Sequence, residues 1–106
     1  MRLFIADFVE DCDNENAVGV KNISNQMIEL IKNNEEIILD FEGILDFSLS
    51  FFIELFEGII KDFGPEATKN MFIENMAEEG QNLFIKGIKI LTMLFEKIIV
   101  NDIVME

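Results

Sequence analysis

Asp40, Glu42 and Asp46 are the residues of this chain best placed for acid–base chemistry. Carboxylates in unlike environments can divide the roles of general acid and general base. These follow an apolar run that reads as a strand, and α/β sheets often hold ligands beyond the carboxyl ends of their strands. The chain has 21 acidic residues, so such a cluster is expected by chance. A structural role is the better reading, with Asp40 bonded to local backbone amides and Asp46 in the turn that starts a helix. Asp11, Asp13 and Glu15 have the alternating spacing of a calcium loop's first ligands, but the sixth position is Asn16 where Gly is needed and the twelfth is Asn22 where Glu is needed. They read as a solvated acidic loop. Cys12, the one cysteine, lies between Asp11 and Asp13, whose charges disfavour a thiolate. It reads as an ordinary loop or edge thiol. No histidine is present, which removes His-based triads, His-ligated zinc and imidazole proton shuttles. Neither phosphate-cradling glycine motif occurs. The sequence therefore points to no catalytic residue, no metal and no cofactor, and an enzyme is not expected.

With 106 residues the chain is long enough for one domain with its own core and too short for two. Half of its residues are apolar, 11 of them Phe, which is far from the composition of a disordered chain. The net charge of −13 repels phosphate backbones and anionic lipid, so neither direct nucleic-acid binding nor membrane binding is expected. It leaves room for a basic protein partner, although acids that keep a hydrophobic small domain soluble account for the same charge. No apolar run reaches the ~18 to 20 residues that span a bilayer. The first residues lack the apolar stretch and cleavage site of a secretory signal. A cytoplasmic location is expected.

These residues must be positioned by alternating strands and helices. Arg2 to Val9 is apolar on both alternating faces and reads as a first strand. Glu10 to Asn16 reads as a loop, with Asp13 or Asn14 available to cap the next helix. Val20, Ile23, Met27, Leu30 and Ile31 fall at helical spacing, closed by Asn33-Asn34, although Gly19 and Asn22 weaken the first half. Glu36 to Phe41 reads as a buried central strand ending in a Glu42-Gly43 turn. Leu49 to Phe63 is helical, with Ser50, Glu54, Glu57 and Lys61 on one polar stripe, and Gly64-Pro65 stops it. A turn or helical stub at Glu66 to Lys69, a third strand at Met71 to Ile73 and a last helix from about Ala77 to Ile98 follow. The tail from Val100 to Glu106 fits either a longer helix or an edge strand. Strands alternating with helices imply a mostly parallel sheet with right-handed crossovers.

The segment Ile37-Ile38-Leu39-Asp40-Phe41-Glu42-Gly43-Ile44, followed by Phe47-Ser48-Leu49-Ser50-Phe51-Phe52-Ile53-Glu54-Leu55-Phe56, resembles the signature of STAS-like domains: a strand closing on D-F-E-G, then a helix opening on S-F-x-x-E-L-F. The resemblance runs from about Leu3 to Ile98. It implies a small STAS-like α/β domain, with a mostly parallel sheet and covering helices, filling residues 1–106. It also implies kinship with anti-sigma-factor antagonists, which bind GHKL-type kinase or anti-sigma partners and are switched by serine phosphorylation. Their acceptor position aligns with Leu49, which makes Ser48 and Ser50, on either side, the candidate phospho-acceptors.

The apolar faces of the last two helices are wider than the ~100° stripe a covering helix needs. On the first of them Leu49, Phe52, Phe56, Ile60 and Phe63 read as facing the sheet, while Phe51, Leu55 and Ile59 form a ridge on a flank. On the last helix Leu83, Ile90 and Leu94 fall beside the core face. Such ridges either pack on a neighbouring helix or form a partner or dimer surface. The expected partner-binding residues are Ser48, Ser50, Phe51, Glu54, Leu55 and Ile59. Two functions follow from different classes. One is a non-catalytic regulatory module that binds a protein, a GHKL-type kinase or ATPase by the resemblance, through the 49–63 helix and the loop before it. The other is a small acidic inhibitor, of the phage anti-defence kind, that mimics nucleic acid and blocks the basic channel of a nucleic-acid-binding protein.

Overall fold

The central strand, β2 (Ile37–Asp40), is a β-branched run whose neighbours are parallel on both sides: β1 (Arg2–Phe4) on one and β3 (Met71–Glu74) on the other, in the order β1-β2-β3. In this computed structural model the described residues are 1–12 and 17–105, with the backbone alone described over 96–105. Three helices complete the chain: α1 (Ala17–Lys32), α2 (Leu49–Phe63) and α3 (Glu78–Met105). Both crossovers step the same way across the sheet, so right-handed connections place α1 and α2 on one face. Burial follows that arrangement. Leu3, Ile37 and Leu39 face the helices and are buried, whereas Phe4 and Phe72 on the other face are about half exposed.

The first strand is shorter than its apolar pattern suggested. After Phe4 the chain turns through a single 3-10 turn, Ile5–Asp7, and the amides of Phe8 and Val9 both bond back to the Ile5 carbonyl. Ile5 and Val9 are thereby buried one turn apart, which a short apolar run cannot distinguish from strand burial. α1 ends where Asn33-Asn34 predicted. Asn34 takes the left-handed conformation, φ 57°, and the Asn34 and Glu35 amides bond the carbonyls of Ile31 and Leu30, the Schellman arrangement. The cap expected at Asp13 or Asn14 lies outside the described residues. α2 has the predicted bounds and ends on Gly64, φ 79°. The tail continues α3 as helix to Met105. Among the described residues no helix is long and apolar enough to cross a membrane.

α2 lies between α1 and α3, and this corrects the reading of its faces. Phe51, Leu55 and Ile59, expected to be open to a partner, are completely buried. α3 approaches on the side of Leu49, Phe52 and Ile53, against Gly87. The Phe84 ring packs on Phe52 and Phe56 at centroid distances of 5.9 and 5.5 Å. α1 approaches on the opposite side, where Glu54 and Gly58 line a cleft with Val20 and Ser24. At 3.6 residues per turn the 51-55-59 ridge falls on the arc between those two contacts and points into the core. The three are therefore core residues, not partner contacts. A helix with neighbours on both sides needs an apolar arc much wider than the usual stripe. The polar stripe is as predicted, with Glu54, Glu57 and Lys61 exposed and Ser50 half-buried. On α3 the flank residues Ile90 and Leu94 do remain partly exposed.

Two glycines in helices make opposite predictions. A Cβ on Gly19 would stand 2.5 Å from both the Phe8 carbonyl oxygen and the Val9 side chain, whereas one on Gly58 would meet nothing within 4 Å. Gly58→Ala should raise stability by up to about 1 kcal/mol through helix propensity alone. Gly19→Ala should lower it, because the backbone of the preceding turn must move away. Thermal melts of the two variants check this, and equal gains would show that the close approach at Gly19 is not a constraint.

Candidate functional site

β2 delivers Asp40 to the carboxyl end of the sheet, where it is almost wholly buried. Both of its oxygens are engaged. Oδ1 accepts from the Glu42 amide at 3.0 Å and from the Asn75 side-chain amide at 3.0 Å, and Oδ2 accepts from the Arg2 guanidinium at 2.8 Å. Arg2 also donates to both carboxylate oxygens of Glu74, at 3.0 and 3.3 Å. Asn75 reaches Asp40 from a left-handed conformation, φ 57°, at the end of β3. One carboxylate thus ties together all three strands. The Asn75 and Glu42 bonds, with help from Arg2, outweigh its burial and hold its carboxyl below the usual aspartate value. Glu74 first and Asp40 second raise the Arg2 guanidinium.

The tie fixes the start of the loop to α2. Past Asp40 the chain makes a turn in which the Ile44 amide bonds the Phe41 carbonyl and Gly43 takes φ 86°. Phe41 and Ile44 are buried, and the half-buried Phe47 stacks on Phe52 at 6.4 Å and 10°. The Cys12 amide bonds the Asp46 carbonyl at 3.0 Å, and the Asp11 carboxylate accepts from the Asp46 amide at 3.3 Å. Cys12 is therefore a buried thiol, joined to Phe47 as an isolated parallel bridge. Ser48, and not Asp46, caps α2: its Oγ accepts from the Phe51 amide at 3.2 Å and lies 3.4 Å from Ser50 Oγ. A serine cap of this kind contributes about 1 kcal/mol to helix stability.

Between these anchors one large apolar side chain projects outward: Leu45, 79% exposed. Sequence reasoning did not single it out. Two adjacent apolar residues in a turn, Ile44 and Leu45, cannot both point inward, and that was the available signal. Of the expected partner-binding residues, Ser48, Ser50 and Glu54 lie together on and beside the first turns of α2, next to this loop. Of the acid–base candidates, Asp40 has both carboxylate oxygens in hydrogen bonds to the chain itself, while Glu42 and Asp46 are exposed. Among the described residues no group of metal-ligating side chains is assembled. Asp13 and Glu15 of the acidic loop lie outside them.

The pattern that defines STAS-like domains of unknown function matches residues 21–81, more than half of the chain, from α1 through the first turn of α3. The chain belongs to the STAS-like family. No curated protein and no solved structure matches it. In this STAS-like domain the D-F-E-G segment is explained by structure: Asp40 binds the strands, Phe41 enters the core, and Gly43 makes the turn from which Leu45 projects.

Proposed function

We propose that this STAS-like domain is a non-catalytic regulatory module that binds another protein through residues 42–47 and the adjoining polar side of α2, Ser48, Ser50 and Glu54. The observation that carries the reading is Leu45, a large apolar side chain held 79% exposed on a loop whose flanking residues Ile44 and Phe47 pack inward. A side chain presented on an anchored loop loses little further conformational entropy when a partner covers it, and this makes an effective binding contact. The class of partner that the family resemblance supports is a GHKL-type kinase or ATPase. A phosphoryl group on Ser48 would sit at the N-terminus of α2, where the helix dipole favours negative charge. On Ser50 it would add charge to the same face, so either serine would switch the surface that Leu45 shares.

The experiment is affinity capture with the full chain and with Leu45→Asp, read by quantitative mass spectrometry beside thermal melts. The expected result is an unchanged melting midpoint together with loss of at least one captured protein, which Glu54→Lys also weakens. Identical capture by the parent and Leu45→Asp would refute the assignment of this loop.

A further inference from the structure

The outer edge of β3 runs beside a trough that no described residue fills. On the helix side of the sheet, Ile37 and Leu39 of β2 are 1% and 0% exposed, but Met71 and Ile73, their register partners on β3, are only half-buried. Cover therefore ends at β3, and among the described residues no strand pairs with its far edge. Two adjoining cavities of about 350 Å³ each follow that edge. They share Ile73 of β3 and Phe84 and Ile85 of α3, and Met71, Ile88 and Lys89 extend the second. Ile85 is 50% exposed and Phe72 49%.

Among the described residues the one charged side chain that lines the trough is basic, in a chain that is strongly acidic. The chain carries 21 acids against 8 bases, yet neither cavity is lined by a carboxylate, and one is lined by Lys89. An open strand edge supplies main-chain donors and acceptors, and apolar pockets on one side of it select alternate side chains of an added strand. We infer that the β3 edge is a docking site for an extended segment of a partner protein that carries apolar side chains at alternate positions and, on that same face, a carboxylate to meet Lys89. This surface involves none of the residues of the loop before α2, so it stands or falls independently of that site.

The test uses the full chain, labelled with nitrogen-15, and three acetylated hexapeptides that alternate Val with Ser, with one Val replaced by Glu, Ser or Lys so that the variable residue shares the face of the remaining Val side chains and can reach Lys89. Net charge alone would make the Lys peptide bind best to a chain of −13. The docking site predicts the reverse order, with amide shifts centred on Phe72, Ile73, Ile85 and Lys89. Lys89→Glu, at a solvent-facing position, should weaken the Glu peptide by about fivefold, the size of one exposed charge pair. N-methylation of the peptide amides that face the edge should abolish binding. Tightest binding by the Lys peptide, shifts that map elsewhere, or no binding by any peptide would overturn the proposal. So would concentration-dependent shifts of the β3 amides without peptide, which assign the edge to a second copy, or cross-strand contacts from residues 98–105, which assign it to the chain's own end.

Discussion

Leu55→Asp is expected to abolish folding. Leu55 is fully buried on the inward arc of α2, between the side that packs on α3 through Phe52 and the side that faces α1 across the cleft lined by Gly58 and Val20. An aspartate there removes the leucine's packing, and no basic side chain is among the buried residues to pair with it. A buried charge left uncompensated destabilises by about 3 to 5 kcal/mol. The whole stability of a small domain is roughly 5 to 15 kcal/mol, and the lost packing adds to the loss. The measurement is a urea or thermal melt followed by circular dichroism, and no cooperative transition is expected near room temperature. A variant that melts like the parent but no longer self-associates in sedimentation would instead restore the 51-55-59 ridge as an exposed interface.

The second large effect is at Asp40 and depends on pH. Asp40→Asn replaces an oxygen that accepts from Arg2 with a nitrogen that can only donate, so the Arg2 contact is lost while Glu74 still holds the guanidinium. The carboxyl of Asp40 lies below its ordinary value of 3.8 in the folded chain. A depressed carboxyl contributes stability that is fully present above its unfolded value and disappears as the pH falls through the folded one. The variant should therefore be clearly less stable than the parent near neutrality, and the gap should close as the pH falls below the ordinary aspartate range. Glu42→Gln, at an exposed position, should leave the melting midpoint unchanged across the same range. Parallel curves for the parent and Asp40→Asn from pH 7 to acid would contradict the role of the carboxylate as the tie between strands.

What the sequence made legible was local. The bounds of α2, the Asn34 cap and the Gly43 turn are each set by residues within a few positions, and each appears where its pattern placed it. The D-F-E-G and S-F-x-x-E-L-F segments were sufficient to identify the fold family. Two other features depend on distant residues and were not legible. The direction of the 51-55-59 ridge depends on how many helices flank α2, which no periodicity within α2 records. The partners of Asp40 lie 38 residues before it, at Arg2, and 35 after it, at Asn75, and only the parallel register brings them together. At the candidate site the serines came from the family resemblance, while the helix-entry role was read at Asp46, two residues before the actual cap, Ser48. Leu45 could not be read, because its exposure results from Ile44 being the one of the two to turn inward. The first strand was read too long for the same kind of reason, since burial of Ile5 and Val9 is shared by a strand and by a turn.

The most direct test of the central claim is amide hydrogen exchange on the full chain, alone and bound to a protein whose capture Leu45→Asp abolishes. The account predicts slowed exchange over residues 42–50 and the exposed side of α2 around Glu54, with α1 unchanged. Slowed exchange confined to other surfaces, with residues 42–50 exchanging as in the free chain, would contradict it.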